Sequence, residues 1–465
     1  MNAGENQSLL TDFYQLTMAQ AYFREQQMGL ATFSLFIRTY PPNRGYFVSA
    51  GLQDVLEYLE SFHFDQGQID YLASQSLFSD DFLHYLVDLR FTGQVFAIPE
   101  GRIFFTDEPV LELTAPILEA QIVETYIINQ IHLQTLIATK AARCVQAAGG
   151  RPVVDFALRR THGSDAGMKV ARASYLAGFV GTSNVMAGRR YGIPLVGTMA
   201  HSFIASFERE IDAFRAYVAS FPKNAILLID TYDTLAGARN AAQVAREMAE
   251  WGQALIGVRI DSGDMATLAV EIRRILDTTG LKDVKIIGSG GLDEFELERL
   301  TAADAAFDSY GVGTKMGVSA DAPWADIAYK LVEYEDRSVL KLSTGKESWP
   351  GEKQVFRQVN SKMQIEKDII GLRGEELSGE RLLEETMRGG KAISPYPKLP
   401  EIRERFTAEL AAVPKSVKKL RDPGCFAAEF SPKLKALRDE IAKKRGDKEK
   451  LELHHSSTPA KTAAK

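Results

Sequence analysis

Cysteine is almost missing from this 465-residue chain: Cys144 and Cys425 are too few for a disulfide framework or a thiolate zinc cluster. A reducing, cytoplasmic setting is the expectation. Long apolar runs are missing too, since none approaches the ~18 residues that crossing a bilayer requires. The start, "MNAGENQSLLTDFYQ", lacks the basic and then apolar pattern of a secretory leader. Charge of one sign is equally scarce. With 55 Lys and Arg against 61 Asp and Glu, the formal net charge of -6 gives no reason to expect a nucleic-acid or membrane partner. Two nucleotide signatures are also absent: there is no "GxxxxGK[ST]" and no early "GxGxxG" after a first strand. A P-loop nucleotidase and a dinucleotide-binding Rossmann enzyme are thereby disfavoured.

What is present is the composition of an ordinary globular protein, 45% hydrophobic and 25% charged, long enough for one large core and a smaller one. From 152 to about 316, short β-rich runs alternate with helical patterns: "PVVDFAL" (152–158), "GFVGT" (178–182), "IPLVGT" (193–198), "AILLID" (225–230), "ALIGVRID" (254–261), "VKIIGSGG" (284–291) and "AFDSYGVGT" (306–314). Seven successive βα units favour a barrel, an irregular one, over an open doubly wound sheet. Between them, Asp264 opens a helix with Leu268, Ile272 and Ile275 on one face, and Asp293 with Glu296 resembles a capping box. Residues 1–130 read as an α+β domain and 131–330 as the α/β barrel. Residues 331–440 read as a C-terminal segment packing back on the first domain, and 441–465 as a polar, disordered tail. The expected class is therefore α/β, an irregular barrel with an α+β N-terminal domain.

In a parallel βα assembly the strand-to-helix turns open on one face, where helix N-termini favour anions. Every such turn here is polar. The first three carry Phe156, Arg159 and Arg160; Thr182 and Ser183; and Thr198 and His201. The fourth carries Asp230 and Asp233, and the fifth Arg259 and Asp261. The last two carry Ser289, Gly290 and Gly291, then Gly311, Gly313 and Thr314; glycine lets backbone N–H groups close on phosphate oxygens. Alternation sends Arg259 and Asp261 to one side, to meet a ligand or to pair with each other. Asp233 either adds an acceptor or, like Thr234, caps the next helix. A phosphosugar fits this set. An aldolase-like or epimerase barrel and a phosphosugar-binding regulator without turnover remain as alternatives.

The motifs "LLTDFYQLTMAQAY", "FALRRTHGSDAG", "GFVGTSNVMAG", "GIPLVGTMAHSF", "IDTYDT", "GVRIDSGD", "GSGGLDE", "GVGT" and "YKLVE", in that order, resemble the nicotinate phosphoribosyltransferases of the type II group. The resemblance spans residues 9 to 357. It implies a head-to-tail homodimer that joins nicotinate to phosphoribosyl pyrophosphate, with ATP hydrolysed and magnesium present. It also implies that His201 is phosphorylated by ATP, and that Asp261 faces the ribose and stabilises charge developing there. Ser289, Gly290, Gly291, Gly311, Gly313 and Thr314 would hold the 5-phosphate. Phe156 and Tyr14 would sandwich the pyridine ring, Tyr14 and Asp12 coming from the other subunit. Arg159 and Arg259 would pair with anionic groups beside Thr182, and Arg38 with the "PPNRGY" turn would reach phosphate across the dimer. Magnesium has no assigned ligands, with Asp230, Asp233 and Asp261 as candidates. Ser183 stands where nicotinamide-specific relatives carry an acid, so a carboxylate substrate meets no repulsion.

Overall fold

The computed structural model describes residues 6–343 and 347–456, with side chains to Arg445. Most of the β-rich runs from 152 onward become parallel strands whose Val, Ile and Leu side chains are buried, the run at 193–198 being the exception with Leu195 exposed. Val153–Asp155 pairs with Ser309–Val312, which pairs with Lys285–Ser289, then Gly257–Ile260, then Ile226–Leu228. On the other side of Val153–Asp155, single parallel bridges add Thr182 and then Leu195. All seven runs thus enter one parallel assembly, and the last strand lies beside the first, which is the strand order of a barrel. Between 193–198 and Ile226–Leu228 no backbone ladder forms among the described residues. The barrel is irregular at that junction.

The helices keep their sequence logic. Asp264 precedes Met265–Thr278 and accepts the Thr267 hydroxyl at 2.6 Å. The fully buried stripe is Met265, Ala269, Ile272 and Leu276, one position round from the expected Leu268 and Ile275, which are half-buried. Asp233 caps Thr234–Glu250 by accepting from Ala236 N at 2.7 Å, so the capping alternative holds for it. Gly237 in that helix lies against the Ile229 carbonyl, an approach that no Cβ would permit.

Before the barrel, Leu30–Ile37 forms an interior strand, third in order, of a seven-stranded sheet, buried at every position but the first. It pairs antiparallel with Leu111–Pro116 on one side and with Ile327–Tyr334 on the other. Glu384–Arg388 pairs with Gln94–Ala97, so the chain after the barrel returns to the first domain. The 24-residue helix Glu124–Ala147 packs against both parts, and the buried pairs Arg172–Glu100 and Lys169–Asp54 tie the barrel helix Ser164–Leu176 to the N-terminal domain. The charged C-terminal helix runs Pro432–Ser456. The expected disordered tail is therefore described as helix up to Ser456, and 457–465 lies outside the described residues.

One buried cluster has a pH consequence. Arg357 bonds Asp368 and, at 2.8 Å, Glu409, while the fully buried Glu108 beside them accepts from Phe105 N and leaves its second oxygen without a partner. Burial, then the Asp368 charge, pushes the Glu108 carboxyl well above its ordinary range. A raised folded pKa gives stability that is full below the unfolded pKa and is lost as pH rises through the folded value, at up to about 1.4 kcal/mol per pH unit. Urea melts from pH 5 to 9 should show this decline in the parent chain and a flatter profile in Glu108→Gln.

Candidate active site

Because the strands run parallel, every strand-to-helix turn opens at the same mouth. His201 stands there as the first residue of His201–Ala205, exposed, with Nδ1 3.1 Å from the Thr231 hydroxyl. Thr231 follows Asp230, whose Oδ2 accepts from Asp261 N at 2.9 Å and from the Ser262 hydroxyl at 2.6 Å. Asp261 Oδ1 in turn accepts the Ser289 hydroxyl at 2.6 Å. A chain of hydrogen bonds and adjacent residues therefore runs from the imidazole across three strand ends to the first glycine turn. Asp230 is buried and its Oδ1 has no partner, so that oxygen is available to a ligand.

Arg259 does not pair with Asp261. Its Nη2 donates to Met199 O at 2.9 Å, its Nε is buried without a partner, and its guanidinium lies 5.9 Å from the centre of the Phe156 ring. Burial lowers its pKa, against the opposing charges of Asp261 and Asp230. A desolvated guanidinium with a free N–H beside an aromatic face is a ready receptor for an anionic planar group.

The glycines are needed where they stand. Gly290 has φ +91° and faces the Asp261 carbonyl so closely that any Cβ would overlap it; Gly291 has φ +65°. Gly311 lies under the Phe156 ring, and a Cβ on Gly313 would sit 3.0 Å from the Phe156 carbonyl. An open cleft of about 570 Å³ is lined by Asp261, Ser262, Gly290, Gly291, Lys315 and Arg421, among others. Lys315 follows Thr314 and pairs with Asp293 at 3.0 Å.

Other expected residues are placed differently. Thr182 is fully buried, and its hydroxyl is spent on Asp155 Oδ2 at 2.7 Å and Asn184 N at 3.0 Å, so it braces the turn that presents the half-buried Ser183. Arg159 is exposed in the short turn Leu158–Arg160, whereas Arg160 reaches the second glycine turn, 3.3 Å from the Thr314 hydroxyl. Asp12 and Tyr14 are exposed on the N-terminal domain, the Asp12 carboxylate accepting from Thr125 at 2.8 Å, and no hydrogen bond or ring contact joins them to the barrel mouth among the described residues. Arg38 and Arg44 turn inward instead of outward, Arg38 onto Asp326 and Arg44 onto Asp321. Asp155 and Thr231 are the residues that sequence reasoning passed over. Asp155 sat inside an apolar run, and its pKa, raised by burial against the Thr182 and Ala157 bonds, marks it as a buried brace. Thr231 had only its position after Asp230 as a signal.

A parallel α/β assembly with two glycine turns, a desolvated guanidinium and linked carboxylates at one mouth has the parts a phosphosugar site needs. Family models agree along most of the length: the nicotinate phosphoribosyltransferase (NAPRTase) N-terminal domain matches residues 9–132, the NAPRTase family 152–348 and the nicotinate phosphoribosyltransferase C-terminal domain 376–438. The chain belongs to the nicotinate phosphoribosyltransferase family. It is 48% identical over 418 residues to nicotinate phosphoribosyltransferase pncB2 of Mycobacterium tuberculosis, covering 90% of each chain. With the nicotinate phosphoribosyltransferase of Bacillus subtilis it shares 41% over 385 residues, covering 81% of this chain and 78% of that one. The crystal structure of human nicotinic acid phosphoribosyltransferase matches with a TM-score of 0.85 at 28% identity, covering 93% of this chain and 99% of that one. No helix among the described residues is long and apolar enough to cross a membrane.

Proposed function

We propose that this chain transfers the phosphoribosyl group of phosphoribosyl pyrophosphate to nicotinate, releasing nicotinate mononucleotide and pyrophosphate, and couples that transfer to ATP hydrolysis through a phosphorylated His201. The observation that carries the reading is the path of hydrogen bonds and adjacent residues from the exposed His201 through Thr231, Asp230 and Asp261 to Ser289, on a chain 48% identical to a nicotinate phosphoribosyltransferase. An imidazole whose one nitrogen is held by a hydroxyl keeps the other free to attack a γ-phosphoryl group. The glycine turns, with Lys315 nearby, receive the 5-phosphate through backbone N–H groups. Arg259 meets the carboxylate of nicotinate, whose ring lies along Phe156.

As the bond to pyrophosphate breaks, positive charge grows on the anomeric carbon, and the Asp261 carboxylate, fixed by Ser289, offsets it. The pyridine nitrogen then forms the new bond at that carbon. Among the described residues no group of three or more His, Cys, Asp or Glu could enclose a metal ion, and Asp233 is engaged as a cap. Asp230, through its free Oδ1, and Asp261 fit a magnesium ion that arrives with the substrate, which supplies charge neutralisation for the pyrophosphate leaving group when bound. Asp12 and Tyr14, exposed at a helix start, complete the site of a second copy of the chain.

The decisive comparison is mononucleotide formation from nicotinate, nicotinamide and quinolinate, with and without ATP. Turnover of nicotinate alone, enhanced by ATP, is expected; release of product from a phosphosugar without any pyridine acid would point to an aldolase or epimerase instead. The half-buried Ser183 gives a second handle. Ser183→Asp places a carboxylate against a carboxylate substrate, so KM for nicotinate should rise ~10- to 100-fold, corresponding to about 1.4 to 2.7 kcal/mol, with KM for phosphoribosyl pyrophosphate little changed.

A further inference from the structure

Beneath the barrel mouth lies an ionic cluster that the reaction as described does not use. Lys140, 1% exposed in the middle of Glu124–Ala147, places Nζ 2.5 Å from Glu294 Oε2 and 2.6 Å from Asp321 Oδ1. Glu294 opens the helix that follows the "GSGG" turn, and Asp321 closes the turn that follows "GVGT" and Thr314–Gly317. One ammonium thus holds the segments behind both glycine turns. Arg44 makes the same span, at 2.9 Å to Asp321 and 4.0 Å to Glu294, while Arg143 binds Glu294 at 3.0 Å. Burial works against the Asp321 carboxylate, yet hydrogen bonds and charge from Arg44 and Lys140 hold its pKa far below the ordinary range. At the surface the same two segments are joined again by Lys315 and Asp293.

The double span distinguishes this cluster from an ordinary buried pair. Buried ion pairs contribute little net stability against apolar replacements, but they fix geometry, because neither partner can move without exposing an unpaired charge. A phosphate gripped by two separate turns depends on the distance between them, and an error of ~1 Å in such a grip can cost 10²-fold in rate.

We propose that Lys140 is a positioning residue that sets the spacing of the two glycine turns, and so the affinity for the phosphoribosyl substrate, without touching it. The proposal rests on the assignment of both turns to the 5-phosphate. Lys140→Met keeps most of the aliphatic stem and removes the ammonium, leaving Arg44 as the remaining buried side chain that reaches both Asp321 and Glu294. With nicotinate and ATP saturating, KM for phosphoribosyl pyrophosphate should rise by about tenfold or more, while kcat and KM for nicotinate stay within a factor of about three. Ribose 5-phosphate, followed by calorimetry, should lose affinity in parallel. A folded Lys140→Met enzyme with unchanged KM and unchanged ribose 5-phosphate binding overturns the proposal. If that variant does not fold, Asp321→Asn, at a partly exposed site, withdraws the anchor that Lys140 and Arg44 share; the same rise in KM is expected, and an unchanged KM with unchanged ribose 5-phosphate binding refutes the proposal equally. Should the parent chain form no mononucleotide yet bind ribose 5-phosphate, the catalytic reading fails and the binding comparison still decides the role of Lys140.

Discussion

His201→Ala should incorporate no phosphate from γ-labelled ATP and should form mononucleotide only by an uncoupled route. At limiting phosphoribosyl pyrophosphate the rate should fall ~10²-fold, and added ATP should no longer raise it. The fold should survive. His201 is exposed, its described side-chain bond is the one to Thr231, and alanine is at ease at a helix start, so unfolding should change by about 0.5 kcal/mol or less. Mass spectrometry of the labelled parent chain should place the phosphoryl group on residue 201 and not on the exposed His162. Retention of full labelling in His201→Ala would refute the phosphohistidine route while leaving the transfer to nicotinate open.

Gly290→Ala should have the other large effect, for a reason of space. The residue sits at φ +91°, and its missing Cβ is what lets the turn close on the Asp261 carbonyl. Holding alanine at that φ costs roughly 1–3 kcal/mol before any overlap is counted, and relief of the overlap must push the turn away from Asp261. Two functions then suffer at once. The phosphate turn moves, and the Ser289–Asp261 bond beside it is strained. KM for phosphoribosyl pyrophosphate should rise by about 10²-fold or activity should vanish, with a lowered melting temperature. Gly291→Ala is the control: its own Cβ would meet open space, so only the cost of φ +65° remains. A Gly290→Ala enzyme as stable and active as the Gly291→Ala enzyme would contradict the geometry.

The contrast between these sites and the ionic cluster shows what a sequence makes readable. All seven β-rich runs were found in the parallel assembly, because burial of Val, Ile and Leu between turn residues leaves a local periodic signal. The turn residues were readable for the same local reason: a glycine after a strand, a carboxylate before a helix. Asp233 and Asp293 became caps within their own segments. Partners brought together by the fold left no such trace. Nothing near Lys140 announces Glu294 or Asp321, which lie 154 and 181 residues away along the chain. Arg44, in the conspicuous "PPNRGY", suggested a contact across a dimer and instead bonds Asp321 inside its own chain. Strand alternation put Arg259 and Asp261 on one side and left open whether they pair with each other or meet a ligand; the fold decides against the pairing by carrying the guanidinium to Met199. A charged side chain's destination depends on which groups the fold brings within its reach, and those lie far away in the chain.

The junction between 193–198 and Ile226–Leu228 then takes on a further meaning. A ladder of amide bonds resists sliding along its whole length, whereas at this junction the described link between the two strand ends is the side-chain contact of His201 with Thr231, with Arg259 of the next strand reaching Met199. The imidazole therefore stands where the parallel assembly lacks backbone pairing among the described residues, and a phosphoryl group added there would bear on the bond to Thr231. Phosphorylation of residue 201, if it occurs, and the width of that gap would then depend on the same bond.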